Sequence, residues 1–511
     1  MSNKVSRRTF LGTTATAAAA FSVIPSHALG SAVGQRAPSD KLNIAVMGLG
    51  RGNASLRHAR NTENIVALCD VDWAFAKPVF DVNPTARKFW DYRVMFDQMA
   101  RDIDAVIIAT PDHGHAIQAS AALTLNKHLL LEKPLTHSVY ESRLLTKLAE
   151  RHTVATSMSN WGSSGEDTRT VIDWIANGEI GDVRRVDTFT NRPIWPQGLA
   201  TPRQGMWVPD TLNWDLFTGP AKLRPYHSIY HPWNHRGWWD YGTGALGDMA
   251  CHIMHAPFKG LRLGYPTKVQ GTSTQLLLDC APHAQHVKYT FPARPNFVRG
   301  SRERQAPEVV INWYDGGIRP EMPAGWPAGR NMDSSGGAAI FYGTRDVLVC
   351  GCYGRRPWLL SGRVPANVPK TQREVPVAEG ITDELGRAIR GEDPTHTMDW
   401  IRACKENAAT RVPTASPFSE AGPFNEMVVM GVLAVRLQGL YKELEWDGAN
   451  MQFTNIGENE EVRFIAQDNF TIEDGHPSFG TETVRINARE AAAEMIKHTY
   501  REGWALPAMP A

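Results

Sequence analysis

The segment HPWNHRGWWDYGTGALGDMACHIMH, His231 to His255, gathers four histidines, three tryptophans and an aspartate four residues ahead of a histidine. These residue types support four different uses. Imidazoles and a carboxylate can hold a metal ion, and flat indole faces can carry a sugar ring. An imidazole that titrates near neutrality can take a proton while hydride leaves a carbinol carbon. Aromatic rings can also simply fill a core. If the segment is helical, Asp248 and His252 share one face. The metal alternative would draw on Asp248, His252, His255 and His231 or His235. His252 and His255 lack the H-E-x-x-H arrangement, so no metal is assigned to them.

Such residues act only when other elements position them and bring a reactant to them. KLNIAVMGLGRGN, from Lys41, opens as an apolar run and turns abruptly glycine-rich, the pattern of a buried parallel strand entering a phosphate-binding turn. Gly48 permits the tight turn, and Gly50 lets the backbone approach a pyrophosphate. The helix that follows, through Arg51, Gly52 and Asn53, offers unpaired N–H groups. Asn53 stands where the fingerprint has its third glycine. Asp70 ends the next strand twenty residues after Gly50, where a carboxylate can accept the ribose hydroxyls of NAD and would repel a 2′-phosphate. Arg51 keeps NADP open as an alternative. Strands IVALCDVD, DAVIIATP and HLLLEKP alternate with helices HAIQASAALTLNK and YESRLLTKLAERH, which predicts a doubly wound parallel sheet over residues 41–157.

Beyond it, VRRVDTFT, KVQGTSTQLLL, HVKYTF and EVVINWYDGG read as strands of a second, mostly antiparallel sheet, whose open face is expected to floor a cleft. The Asp-Gly-Gly at the end of the last strand is a hairpin signal. GALGDMACHIMHAPFKGL, ITDELGRAIRG, MDWIRACKEN and FNEMVVMGVLAVRLQGLYKEL are expected helices. The expected class is therefore α/β: a Rossmann domain, an α+β domain over residues 158–455, and an extension, residues 456–511, packed on both.

Thr110-Pro111 with His115 four residues after Pro111, Glu132-Lys133-Pro134, and Gly244 with Asp248 and His252 occur in that order after the glycine turn. Together they resemble the T-P-x-x-x-H, E-K-P and G-x-x-x-D-x-x-x-H elements of the Gfo/Idh/MocA oxidoreductases, named for glucose–fructose oxidoreductase and inositol dehydrogenase. The resemblance runs from about Leu42 to about Leu261, and more loosely to the C-terminus. It implies NAD chemistry in which Lys133 and His252 meet the reacting hydroxyl with Asp248 beside them. Thr110, Pro111, His115, Glu132, Lys133 and Asn160 would border the cofactor. A lysine ammonium would stabilise the developing alkoxide and a histidine would accept its proton. Trp161 follows Asn160 where relatives more often carry a polar residue, which changes the wall beside nicotinamide or substrate. Trp195 and Trp238 are candidates to stack on a sugar, with Arg192, Asn234 and Arg236 as donors to its hydroxyls; aromatic packing is the alternative for the tryptophans.

The chain has 511 residues and a formal charge of +1, with acids and bases well mixed. No electrostatic footprint for nucleic acid or an anionic membrane surface is present. Arg7-Arg8 before an alanine-rich run and Ser26-His27-Ala28 resembles a twin-arginine export signal over residues 1–28, followed by a linker over 29–40. That implies a periplasmic protein whose dinucleotide stays bound, because no free pool is at hand there. The six cysteines show no C-x-x-C spacing and read as buried hydrophobes, with oxidation of Cys350 and Cys352 left open. The expected activity is oxidation of a secondary hydroxyl of a sugar or glycoside, including C3 of a pyranose, by a homo-oligomer. The alternatives are an NAD-dependent glycosidase that oxidises its substrate transiently and a non-catalytic sugar- or nucleotide-binding protein.

Overall fold

The computed structural model describes residues 40–50, 53–296, 304–332, 336–376 and 394–510. The N-terminal signal, the linker, Arg51, Gly52 and the expected helix over 381–391 lie outside the described residues.

The first sheet consists of β1 (Asn43–Met47), β2 (Asn64–Cys69), β3 (Arg87–Phe89), β4 (Ala105–Ile108), β5 (His128–Leu131) and β6 (Thr156–Met158). All neighbours are parallel in the order β3-β2-β1-β4-β5-β6. Its strands read as unbroken apolar runs because both faces are covered. Ala45 and Met47 enter one hydrophobic cluster, and Ile44 and Val46 enter another on the opposite face. The intervening helices include α1 (Asn53–Ala59), α2 (Trp73–Asp81), α3 (Asp112–Thr124) and α4 (Val139–Arg151). Helix α4 opens with a capping box in which the Ser138 hydroxyl accepts from the Glu141 N–H and the Glu141 carboxylate accepts from the Ser138 N–H.

The second sheet has nine strands: β7 (Val183–Thr190), β8 (Lys268–Ser273), β9 (Gln285–Phe291), β10 (Val309–Tyr314), β11 (Gly337–Gly343), β12 (Val347–Gly351), β13 (Trp358–Leu359), β14 (Leu444–Asp447) and β15 (Gln452–Phe453). They lie in the order β13-β12-β11-β7-β10-β9-β8-β14-β15. Only β7 and β10 pair in parallel. The hairpin expected at Asp315-Gly316-Gly317 does not form, because β7 lies between β10 and β11 and takes the edge each would have offered the other. Gly316 and Gly317 do adopt positive φ, so the local turn signal was genuine while the pairing partner was non-local.

Helix α5 (Gly244–Ile253) carries the Asp248 and His252 pair, and α6 (Phe418–Arg436) is its buried neighbour. Helix α6 packs on α4 of the first domain and on β8 of the second, and Arg143 pairs with its buried Glu426 at 2.7 Å. Helices therefore fill the space where an open sheet face was expected as a floor. The sheet contributes to the cleft through segments leaving its strands.

Residues 191–243, between β7 and α5, fold over the first domain. Their aromatic residues Trp214, Phe217, Tyr226, Tyr230, Trp238 and Tyr241 form a separate core. Backbone bonds from Trp73 to Thr211 and from Asn213 to Val71 pin this segment to the end of β2. Near the C-terminus, Glu461–Glu473 and His476–Asn487 form a long antiparallel hairpin that precedes a short helix, Ala488–Ile496.

Candidate active site

A cleft of about 780 Å³ runs from the glycine turn, between the two domains, to α5. At its first end Gly48 sits at φ +77°, and a Cβ there would lie 2.5 Å from the backbone of Ala109. Only glycine lets the β1 turn pass this close to the end of β4. Asp70 faces the same turn: its carboxylate accepts from the N–H of Leu49 at 2.7 Å and of Asp72 at 2.9 Å. Burial nevertheless raises its pKa to about 6. A glycine cradle for which a Cβ has no room, beside a carboxylate with acceptor capacity left on both oxygens, fits a dinucleotide. Gly50, Thr110, Pro111 and Glu132 border the cleft as expected.

Two expected cofactor contacts lie elsewhere. The ring nitrogens of His115 are each 2.8 Å from a carbonyl, those of Pro134 and Thr110, so this residue clamps the loops after β4 and β5 together behind the cleft. Asn160 is buried outside the lining, and neither atom of its amide meets a protein partner. Asn53 opens α1.

At the other end, the Lys133 Nζ donates to Asp248 Oδ1 at 2.6 Å and to the main-chain oxygen of Asp248 at 3.3 Å. Arg236 Nε donates to the same carboxylate oxygen at 3.1 Å. The Lys133 and Arg236 cations hold the Asp248 carboxyl well below the usual carboxylate range against the opposing effect of burial. Asp248 is therefore an anchor for two cations and not a proton acceptor near neutrality. His252, one turn later, also borders the cleft, with its ring centroid 4.6 Å from that of Tyr353. The helix that carries both is fixed to the first domain by Asp112, whose Oδ2 accepts from the hydroxyl and the N–H of Thr243 at 2.7 and 3.1 Å.

Of the recognition residues, Trp161, Arg192, Trp195 and Arg236 border the cleft. Trp161 donates its indole N–H to Ser159 Oγ, which donates to Glu132 Oε1. Trp195 donates to Gln197 and is buried, with a small part of the residue bordering the cleft. Trp238 is a correction: it is 0% exposed, donates to the carbonyl of Ile229 and belongs to the aromatic core of the 191–243 segment. Asn234 is absent from the lining too, and the neighbouring Trp233 takes that place with the Arg236 guanidinium 4.2 Å over its ring. The short helical turn Asn234–Gly237, which Trp233 precedes, leaves Trp233 and Arg236 on the cleft and Asn234 off its lining.

Three of the four histidines of the opening segment, His231, His235 and His252, border the cleft. His231 pairs with Asp72 at 2.9 Å, and His255 pairs with Glu420 at 2.9 Å on the far side of α5. Among the described residues, no group of three His, Cys, Asp or Glu side chains is placed to hold a metal ion. All six cysteines are buried free thiols, and burial pushes Cys350 and Cys352 up to about 12.

Several lining residues had no signal in the sequence. His113 bridges the carbonyls of Phe217 and Tyr241, while burial depresses it to about 4. Tyr353 and Trp504 reach the cleft from distant parts of the chain.

Residues 42–159 match the Gfo/Idh/MocA oxidoreductase family, NAD-binding Rossmann fold, and residues 181–321 match the C-terminal alpha/beta domain of that oxidoreductase family. An uncharacterized oxidoreductase of Synechocystis is 35% identical over 121 residues, 23% of this chain and 32% of the relative. A Glycosyl hydrolase family 109 protein 2 of Shewanella is 27% identical over 265 residues, 50% of this chain and 52% of the relative. These two matches thus span about a third and about half of the relatives' lengths. The WlbA dehydrogenase of Bordetella pertussis, solved with NADH and UDP-GlcNAcA, shares the fold at a TM-score of 0.50 and 14% identity, over 80% of this chain and 99% of that one.

Proposed function

Because the chain belongs to the Gfo/Idh/MocA oxidoreductase family and its first domain is an NAD-binding Rossmann domain, we propose that it oxidises a secondary hydroxyl of a sugar or glycoside with a tightly bound NAD. The observation that carries this reading is the Lys133 to Asp248 ion pair. It joins the loop after β5 to α5 at the bottom of the cleft whose other end is the glycine turn and Asp70.

Gly48, Gly50 and Asp70 would hold the dinucleotide, and when bound it supplies the hydride acceptor. The chain's own residues manage the proton and the charge. A lysine ammonium has three N–H donors. Two of those of Lys133 meet Asp248, which fixes the third for the substrate oxygen as negative charge develops there. Asp248 stays ionised throughout and keeps both Lys133 and Arg236 in place. His252 is the cleft-lining imidazole of α5 and takes the hydroxyl proton. Arg192, Arg236 and the rings of Trp195, Trp233 and Trp161 suit a ligand with many hydroxyls and apolar C–H faces.

A second reading, redox-neutral cleavage of a glycoside through a transient ketone, is favoured by the likeness to the glycosyl hydrolase family 109 protein. It uses the same residues. Product analysis distinguishes the two: oxidation leaves a keto sugar and reduced cofactor in equal amounts, whereas cleavage releases aglycone without net NADH.

We also propose export by the twin-arginine route, on the strength of Arg7-Arg8 and the alanine-rich run that follows. Replacing both arginines by lysine should retain the precursor in the cytoplasm; an unchanged periplasmic yield would contradict it. No helix among the described residues is long and apolar enough to cross a membrane.

The test of the main reading is reduction of bound NAD by a panel of glycosides. Lys133→Met should slow it by about 10²–10³, the effect of losing one preorganised donor. His252→Ala should leave a residual rate that rises with pH as hydroxide replaces the imidazole.

A further inference from the structure

The C-terminal residues lie beyond both segments that match the oxidoreductase family, which end at residue 321. They nevertheless reach the cleft. Trp504 lines it near Tyr92, at the end that Asp70 also borders, and the guanidinium of Arg93 lies 4.4 Å over the Trp504 ring.

Hydrogen bonds to the first domain and to the segment folded over it place Trp504 there. On the first domain, Tyr500 Oη donates to Glu141 Oε1 at 2.7 Å, the carboxylate that also caps α4. On the segment folded over that domain, Arg501 donates to Asp215 Oδ1 at 2.6 Å and to the carbonyl of Gly219 at 3.1 Å, and its backbone N–H donates to the carbonyl of Pro220 at 3.0 Å. The chain then turns, with Trp504 N bonded to the Arg501 carbonyl at 3.1 Å, and this carries the indole to the cleft. The ring stays only partly buried, although tryptophan is mostly buried on average. A held, partly exposed indole backed by a cation offers a flat face to a flat heteroaromatic group.

We propose that Trp504 forms a wall of the adenosine end of the NAD site and that the segment carrying it, tied to Glu141 on one side and to Asp215 and Gly219 on the other, clasps the dinucleotide against release. This rests on the reading that the cleft holds NAD. The clasp bridges the first domain and the segment folded over it, so NAD leaving at this end must displace a segment that both hold. Slow release follows from this arrangement, as a cofactor reoxidised in place requires.

The test follows the loss of radiolabelled NAD from the loaded protein after a chase with excess unlabelled NAD. Trp504→Ala should release NAD about tenfold faster or more, the scale of losing one base-stacking ring. Trp504→Phe should fall between it and the unaltered protein, because a smaller ring keeps part of the face. Tyr500→Phe, which removes only the hydroxyl tether to Glu141, should also speed release, while Glu502→Ala, exposed on the same segment, should not. Equal release rates in the unaltered, Trp504→Phe and Trp504→Ala proteins would overturn the clasp and leave NAD binding intact. Failure of the unaltered protein to bind NAD would overturn the functional reading together with the clasp.

Discussion

The two ends of the cleft are built in different ways. At the dinucleotide end the backbone does most of the work: a glycine at φ +77°, a strand end and a carboxylate bonded to the turn itself. At the recognition end side chains of the 191–243 segment decide, and there the sequence pattern divides. Trp195 and Trp233 border the cleft, whereas Trp238, five residues after Trp233, is sealed in an aromatic core. Backbone-made sites follow from local residue requirements. Side-chain-made sites depend on which way a short irregular segment faces.

The largest effect that sharpens this contrast is expected at the anchor joining the ends. Asp248→Asn removes the charge that fixes both Lys133 and Arg236 and should lower the single-turnover rate by about 10² or more, since one misplaced donor has that worth. An unchanged rate would mean that the ion pair is only structural. Asp70→Ala comes next: loss of a charged acceptor for two ribose hydroxyls should weaken NAD binding by about tenfold to a hundredfold in a titration.

The same carboxylate gives a pH signature. With its pKa raised to about 6 by burial, Asp70 is ionised above that pH and accepts the ribose hydroxyls. As pH falls through about 6 it takes up a proton and loses acceptor capacity, so NAD affinity should decline toward acid and stay flat above neutrality. Asp70→Asn should remove that decline; a decline preserved in the variant would assign it to another group.

The smallest kinetic effect separates two tryptophans. Trp195→Ala should raise KM several-fold with kcat little changed, as expected if its ring holds ground and transition states alike. Trp238→Ala should instead lower the thermal midpoint, because emptying a fully buried ring site costs about 3–5 kcal/mol. The reverse pattern would exchange their roles.

The parallel sheet was legible because strands buried on both faces must be apolar throughout, and the turn after β1 because no other residue fits at Gly48. Lys133, Asp248 and His252, which their ordered motifs grouped, border the same cleft. The failures have two causes: side-chain roles that local spacing leaves open, and partners far along the chain. His115 satisfies loop carbonyls, a role local spacing cannot separate from cofactor contact. Asp315-Gly316-Gly317 turned without a hairpin because β7, over a hundred residues earlier, supplied the pairing. Tyr353 and Trp504 enter the cleft only through tertiary packing, and nothing around them in sequence marks that destination.

The measurement that tests the account most directly is single-turnover reduction of NAD bound to the purified protein, followed by absorbance across a panel of glycosides, for the unaltered chain and for Lys133→Met. Rapid reduction by at least one glycoside, slowed about 10²–10³ in Lys133→Met while NAD remains bound, is the predicted result. Equal rates in the two proteins would contradict the assignment of Lys133 as the group that stabilises charge on the reacting oxygen.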